Sequence, residues 1–177
     1  MGSSSADEDS AAGRRAYMIG RLVAQRGGVI FTGGCAGLPH AAVRGALDAG
    51  GTTVAVSPAM NLDDHCDLSM YGCPSDSTIT VLTGMGTKGR NVVLVRSADA
   101  CVFVGGGMGT LNEFTIAYDE LPAAAAIGVL LDSGGLSSEY ARLATAVQRA
   151  PEALLIRDED PDRLLAAIFD HLRTNTS

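Results

Sequence analysis

Three glycine-rich stretches, each lying between a short apolar run and a helix-like run, restrict the fold of this chain more than any other feature. They are TGGCAG at 32–37, GMGTKG at 84–89 and GGGMGTLNE at 105–113, and the apolar runs before them lie at 29–31, 79–82 and 101–104. Glycine lets backbone amides come close to a ligand, and the N-terminus of the helix that follows favours an anion. In an open α/β sheet such loops lie beyond the carboxyl ends of the strands. The pattern therefore predicts a crevice for a phosphate-bearing ligand at that edge, although each loop taken alone is also consistent with a simple tight turn.

The rest of the chain continues the same alternation. Strands are predicted at 29–31, 52–56, 79–82, 101–104, 127–131 and 153–156. Helices are predicted from Ala12 to just before Gly27 and at 38–49, 87–97, 110–119, 137–149 and 162–173, and residues 58–77 are expected to form a long loop. Short apolar strands that alternate with helices are typical of a parallel sheet covered on both faces. We therefore expect an α/β fold, a single Rossmann-like, doubly wound domain over residues 1–177.

Length and charge exclude several other classes of protein. A chain of 177 residues can bury a core without a metal or a disulfide. Its net charge of −7 and the lack of a long basic run weigh against binding to nucleic acid or to an anionic membrane. No apolar run approaches the roughly 18 residues of a membrane span, and MGSSSADEDS is unlike a signal peptide. We expect a cytoplasmic protein whose four cysteines are reduced thiols.

Two polar residues beside the glycine loops carry the candidate chemistry. Arg90 follows the second loop, and Glu113 lies about one turn into the helix that the third loop opens. A carboxylate beside a sugar can stabilise the oxocarbenium-like charge of a breaking glycosidic bond. A guanidinium can hold a phosphate or stabilise departing negative charge. The alternative is that Glu113 is a glutamate favoured by the helix dipole and Arg90 a solvated arginine.

Three other chemistries fit less well. GMGTKG spells the dinucleotide pattern GxGxxG, but the next strand ends in Gly105 rather than in an acidic ribose ligand, and no loop matches GxxxxGK[ST]; an NAD enzyme or an ATPase is therefore disfavoured. Lys88 is the only lysine and lies in a glycine loop, which argues against a lysine decarboxylase. His65-Cys66 with Cys73 matches no common zinc spacing and lacks a fourth ligand, so we predict no metal site and place these residues in a loop near the crevice mouth.

Three motifs point to a known superfamily. GGGMGTLNE at 105–113 resembles the PGGxGTxxE signature of the LONELY GUY family, whose members were often labelled lysine decarboxylases. The stretch from TGGCAG to residue 58 is similar to that family's second strand, glycine loop and helix. GRNVVLVRSADACVFVGGG at 89–107 is closer to the branch that contains the molybdenum cofactor carrier proteins. The resemblance covers residues 2–132, and residues 133–177 form a C-terminal strand and helices without a familiar motif.

The resemblance implies a Rossmann-like protein, usually a homodimer or larger homo-oligomer, that binds a small phosphorylated nucleotide-type ligand. LONELY GUY enzymes hydrolyse the N-glycosidic bond of nucleoside 5′-monophosphates, and their catalytic arginine and glutamate match Arg90 and Glu113. Their phosphate-binding loop matches Gly106, Gly107, Gly109 and Thr110. With the neighbouring loop residues, the candidate binding set is Gly33, Gly34, Gly106, Gly107, Met108, Gly109 and Thr110, with further ligand contacts at Ser4, His40 and Asn91.

Two functions follow. The first is a phosphoribohydrolase that releases the base from a nucleoside 5′-monophosphate and requires no cofactor. The second is a non-catalytic protein that carries a nucleotide or the molybdenum cofactor. Asn91 in place of the family's lysine and Gly105 in place of its proline favour the carrier, whereas Arg90 and Glu113 suit both.

The N-terminus departs from the resemblance. Chains of this family begin with a strand that runs into a Gly-Ser-Ser loop, whereas this sequence opens directly with Met1-Gly2-Ser3-Ser4-Ser5. We therefore expect the first strand of the sheet to be missing or truncated. A truncated start, a sheet repaired by another element and an unrelated leader all remain open.

Overall fold

Strands and helices alternate along the chain in the computed structural model, which describes residues 1–68, 74 and 78–175. The strands are β1 (Val29–Thr32), β2 (Thr52–Ser57), β3 (Thr78–Leu82), β4 (Ala100–Val104), β5 (Ala126–Leu130) and β6 (Leu154–Asp158). The helices are α1 (Ala11–Gln25), α2 (Leu38–Asp48), α3 (Leu62–Asp67), α4 (Gly86–Arg96), α5 (Met108–Glu120), α6 (Ser137–Ala146) and α7 (Pro161–Asn175). Every predicted strand and helix is present, and most bounds differ by one or two residues. The predicted loop at 58–77 contains a helix, α3, which opens with an Asn61 side-chain cap.

All strand pairs are parallel, and they form two three-stranded sheets in the orders β1-β2-β3 and β4-β5-β6. Together with the helices that flank them, they confirm the Rossmann-like α/β prediction. Within the described residues, β1 and β4 belong to different sheets and are not paired with each other. Met1 and Gly2 lie beside the end of β4, where Gly2 forms a parallel bridge with Val104 and the Met1 amine donates to Val102 O at 2.7 Å.

The sheet of β4, β5 and β6 is the better packed of the two. Every residue of β5 is buried. Beside it, Phe114 stacks on Tyr140 with ring centroids 4.8 Å apart and meets Phe103 edge-on at 5.3 Å. Apolar side chains of α1 and α7 bury the other face. This half of the molecule provides a rigid base for the loop that follows β4.

The sheet of β1, β2 and β3 packs against a smaller apolar core, and we call this part of the molecule the thinner half. Its own cluster of buried apolar residues is Val54, Val56 and Leu94, and Ile79 on β3 is 58% exposed. Its fully buried polar residues include His65 of α3, which shares a 2.7 Å hydrogen bond with Ser57 Oγ. The placement of His65 near the crevice mouth is therefore wrong, because α3 turns this ring inwards beneath β2.

The cysteines differ from expectation at one position. Cys66 is disulfide-bonded, so the prediction that all four thiols are reduced is wrong there. Cys35 and Cys101 are free, and Cys73 lies outside the described residues. Among the helices of the described ranges, none has both the length and the apolar character that a membrane crossing needs.

Candidate functional site

A pocket of about 340 Å³ lies at the carboxyl ends of the strands, where the glycine loops were predicted to meet. Four segments of the chain build it: the N-terminus, the loop after β1, the start of α4 and the start of α5. Its lining residues are Gly2, Ser3, Ser4, Ser5, Cys35, Thr87, Lys88, Arg90, Asn91, Gly107, Met108, Gly109, Thr110 and Glu113.

The N-terminus of α5 forms the floor of this pocket. Gly105 and Gly106 have φ values of 56° and 100°, which turn the chain sharply from β4 into the helix. The residue before the helix is Gly107, and no side chain caps the first turn. The first amides of a helix have no partner within it, and they carry the positive end of its dipole. An anion in the pocket would therefore meet uncapped amides at Met108 to Thr110.

The turn between β5 and α6 holds this loop from behind. Gly105 N donates to Ser133 Oγ at 2.7 Å, and Ser133 Oγ donates to Leu130 O at 2.6 Å. Tyr140 donates its hydroxyl to Gly105 O at 3.2 Å, and Leu136 N donates to Gly106 O at 3.0 Å. The sequence analysis identified the segment after β5 only as a turn containing glycine. No local pattern connects that turn with the loop at Gly105, some thirty residues earlier.

Arg90 and Glu113 meet at the back of the pocket. Arg90 Nη1 lies 3.9 Å from Glu113 Oε1, and both side chains are largely buried. Burial raises the pKa of Glu113, against the opposing effects of the N-terminal ammonium, Arg90 and Lys88. Burial likewise raises the pKa of the neighbouring Cys35 thiol, against the effect of Arg90. The site thus pairs a fixed cation with a carboxyl group whose charged form is disfavoured.

Gly33 makes room for this arginine. A Cβ atom at Gly33 would lie 2.0 Å from Arg90 Nη1, so the guanidinium packs directly on the backbone of the first glycine loop. Gly33 therefore affects the site by leaving space for the guanidinium of Arg90.

Asn91 is buried beside the pair and is held by Asn112, a residue that no sequence pattern had indicated. Its Nδ2 donates to Asn112 Oδ1 at 2.8 Å, which links α4 to α5. A neutral amide makes this bond without a buried charge, whereas a lysine at the same position would need a carboxylate partner. The Asn91–Asn112 pair fixes the distance between the two helices that carry Arg90 and Glu113.

The structure places most of the predicted residues in one site. Those that line the pocket are Arg90, Glu113, Asn91, Ser4, Gly107, Met108, Gly109 and Thr110. Gly33 and Gly106 lie immediately behind it, and Gly34 lies against the His65 ring. His40 lies outside the lining on the exposed side of α2, where its Nδ1 is 2.8 Å from Glu8 Oε1.

Sequence reasoning did not select Cys35, Thr87 or Lys88 as ligand contacts, although they line the same pocket. Their positions inside or next to the glycine loops were the available signal. Within the described residues, no group of three His, Cys, Asp or Glu side chains is arranged to hold a metal ion.

The chain is similar to several known proteins over most of its length. An uncharacterized protein of Archaeoglobus fulgidus is 38% identical over 120 residues, which are 68% of this chain and 72% of that protein. The molybdenum cofactor binding protein of the phototrophic bacterium Rippkaea orientalis superposes with a TM-score of 0.73 at 28% identity, over 96% of this chain and 93% of that one. The molybdenum cofactor carrier protein of Chlamydomonas reinhardtii gives 0.72 at 28% identity, over 98% and 96%.

These similarities confirm the carrier-like resemblance that the motif at 89–107 indicated. The model of the SLOG cluster4 family matches residues 1–165, which is nearly the whole chain. The protein is a member of the SLOG cluster4 family.

Proposed function

We propose that this protein binds the molybdenum cofactor, or a closely related phosphorylated pterin or nucleotide, in the pocket at the start of α5 and holds it without cleaving it. One observation carries the proposal: the uncapped N-terminus of α5 opens into a 340 Å³ pocket whose other walls supply hydroxyl groups and cations. That arrangement suits a phosphate group attached to a larger polar ring.

The residues present fit such a ligand. The amides of Met108 to Thr110 would hold the phosphate, and the Ser3 to Ser5 segment would border it with hydroxyl groups. Arg90 and Lys88 supply positive charge locally, which offsets the net charge of −7 of the whole chain. When bound, the cofactor supplies a pterin-held molybdenum centre for use elsewhere, and this chain's part is to hold and shield it.

The similar proteins support the carrier over the hydrolase. Two solved structures that match almost the full chain bear names referring to binding or carrying the molybdenum cofactor. Asn91 and Gly105, which depart from the LONELY GUY pattern, point the same way.

The hydrolase remains the second candidate because Arg90 and Glu113 lie together at the back of the pocket. In that function Glu113 would stabilise the ribosyl cation and position water, and Arg90 would assist the phosphate or the departing base. No cofactor would be required.

A charge placed at the mouth of the site tests phosphate binding. Met108 is the first residue of α5, lines the pocket and is 73% exposed, so its replacement leaves the core intact. Met108→Glu puts a carboxylate where the phosphate is proposed to lie, and a glutamate is tolerated at a helix N-terminus. Met108→Gln is the matched control of equal size without the charge.

Equilibrium dialysis against molybdenum cofactor released from a molybdoenzyme, and separately against AMP, gives the readout. We expect Met108→Glu to weaken binding at least tenfold more than Met108→Gln does. Equal binding by the two variants would contradict a phosphate site at the start of α5.

A second assay separates the two functions. The protein is incubated with a panel of nucleoside 5′-monophosphates, and free base is measured by chromatography. We expect the ligand to be retained without release of base. Release that disappears in Glu113→Gln would overturn the carrier and establish the hydrolase.

Self-association also remains a prediction. The exposed apolar side chains of the edge strand β3, Ile79, Val81 and Leu82, support the homodimer or larger homo-oligomer that the resemblance implies. Sedimentation velocity of the wild-type chain and of Ile79→Lys tests it, with dissociation of the variant as the expected result.

A further inference from the structure

A fully buried histidine contacts the first glycine loop, at residues 32–37, without lining the ligand pocket. It is His65 of α3, whose Nδ1 is 2.7 Å from the Oγ of Ser57 at the end of β2. Neither side chain is exposed to solvent. Asn61 caps α3 and accepts from His65 N at its carbonyl oxygen, 3.2 Å away, which fixes where the histidine stands on this short helix. The proposed function makes no use of this buried pair.

The ring of His65 packs against the backbone of the loop. A Cβ atom at Gly34 would lie 3.0 Å from His65 Cε1 and 3.2 Å from the Cβ of Ala55 on β2, so this position has no free space for a side chain. Gly34 also has a φ of 73°, which glycine adopts readily. Contacts from α3 and from β2 therefore hold Gly34 in place.

The residues on either side of Gly34 belong to the site. The guanidinium of Arg90 packs on Gly33, and Cys35 lines the pocket. Consecutive residues of one short loop are thus in contact with His65 and with Arg90. Because a close-packed interior transmits displacements, a shift of the His65 ring would move the backbone on which Arg90 rests.

The hydrogen bond to Ser57 fixes the ring that makes this contact. A buried polar group is destabilising unless it is hydrogen-bonded, and the bond to Ser57 Oγ meets that need. The same bond fixes the rotation of the imidazole. Ser57 Oγ is itself held, since it accepts from Ala59 N at 3.1 Å. A leucine at position 65 could fill similar space, but it could not be oriented in this way.

We propose that His65 is a positioning residue for the ligand pocket: oriented by Ser57, it holds the first glycine loop where Arg90 packs against it. The ligand in this inference is that of the proposed function, on which it rests to that extent. Arg90 supplies positive charge to the pocket, and it does so from a fixed place only while its guanidinium stays packed on Gly33. His65 acts through the loop and does not touch the ligand.

Two substitutions remove the hydrogen bond from its two ends. Ser57→Ala is the milder one, and His65→Leu also replaces the ring. Val54→Ala, at a buried residue of β2 away from the pocket, controls for a loss of stability in the same sheet. In equilibrium dialysis against AMP we expect His65→Leu to weaken binding at least fivefold and Ser57→Ala at least twofold, with Val54→Ala unchanged. Binding by His65→Leu equal to that of Val54→Ala would overturn the proposal.

A double-mutant cycle tests whether His65 acts through Arg90. Arg90→Lys keeps the charge but replaces the planar guanidinium that packs on Gly33. We expect His65→Leu to weaken AMP binding by less than twofold in the Arg90→Lys background, because residues that act through one contact are not additive. An equal loss in both backgrounds would overturn the proposed route through Arg90.

A measurement without ligand separates this inference from the proposed function. Cys35 is a free, partly buried thiol in the same loop, so its alkylation by iodoacetamide reports whether the loop stays in place. We expect Cys35, followed by peptide mass spectrometry, to react at least fivefold faster in His65→Leu than in the wild type and in Val54→Ala. Equal rates in all three would overturn the proposal. The faster rate in a protein that binds neither AMP nor the cofactor would support the positioning of the loop and overturn the proposed function alone.

Discussion

The two sheets have the same topology but differ sharply in how firmly they are packed. The sheet of β4, β5 and β6 has a fully buried middle strand and a cluster of four aromatic rings. The sheet of β1, β2 and β3 ends in a largely exposed edge strand and has a three-residue cluster of its own. The ligand pocket takes residues from both halves.

The difference shows how the site divides its tasks. The loop before α5, where the phosphate is proposed to bind, stands on the well-packed half and is fixed by Ser133 and Tyr140. The thinner half contributes Cys35 and the start of α4, which carries Lys88, Arg90 and Asn91. A binding site is precise only where the groups that hold the ligand are themselves held rigidly, which the packing around β4 and β5 provides for the phosphate loop.

The largest expected effect is a loss of stability on truncating the aromatic cluster. Phe103 is completely buried, and Phe103→Ala should lower the free energy of unfolding by about 3–5 kcal/mol. Phe31→Ala, at a partly buried residue of β1, should cost less than half as much. Urea unfolding measures both, and equal losses would remove the contrast between the sheets.

The next effect concerns the turn behind the phosphate loop. Gly134 and Gly135 both have positive φ, but a Cβ at Gly135 would lie 2.4 Å from Gly106 O, whereas one at Gly134 meets nothing within 4 Å. Gly134→Ala should cost about 1 kcal/mol from backbone strain alone. Gly135→Ala should cost about 1–3 kcal/mol more and also weaken AMP binding in dialysis, since it displaces the loop. Equal effects at the two glycines would show that the loop is not held from this side.

A smaller effect is expected from the tyrosine hydroxyl that supports the same loop. Tyr140→Phe leaves the ring stacking in place and removes one hydrogen bond to Gly105 O, so the loss should be about 1 kcal/mol. Thermal unfolding measures it. A variant as stable as the wild type would indicate that Ser133 and Leu136 fix the loop without this residue.

The raised pKa of Glu113 should make the stability of the protein depend on pH. Its pKa in the folded state is raised, chiefly by burial, so it binds a proton more tightly folded than unfolded. The stabilisation that this tighter proton binding provides is therefore fully present below the ordinary pKa of a carboxyl group. It is lost as the pH rises through the raised pKa of Glu113 in the folded protein. Urea unfolding of the wild type and Glu113→Gln from pH 4 to pH 8 should show the variant gaining in relative stability with pH. A constant difference would contradict the raised pKa.

The smallest effect is expected at the exposed edge. Ile79→Thr on β3 should change the free energy of unfolding of the monomer by no more than about 0.5 kcal/mol, because the side chain is 58% exposed. A larger loss in urea unfolding at low protein concentration would mean that β3 contributes to the core more than its exposure indicates.

The alternation of strands and helices and the edge with the glycine loops followed from the sequence, because short apolar runs and glycine turns are local signals. Arg90 and Glu113 could be selected for the same reason, since each stands next to such a loop. The helix α3 was missed because six residues carry too little periodicity to be distinguished from a polar loop.

Contacts between distant segments were beyond the reach of local patterns. The Ser133 hydrogen bond to Gly105, the Asn91–Asn112 pair and the burial of His65 depend on how elements meet in space. The position of His40 was also unpredictable from local patterns. It follows a glycine loop in the sequence, but in the structure its side chain pairs with Glu8 on the surface.

The proposed phosphate site is best tested by a crystal structure of the protein with bound molybdenum cofactor. We expect an intact ligand whose phosphate oxygens lie about 2.7–3.2 Å from the amide nitrogens of Met108 to Thr110, with Arg90 close by. A phosphate bound elsewhere, or a ligand cleaved in the pocket beside Glu113, would contradict it.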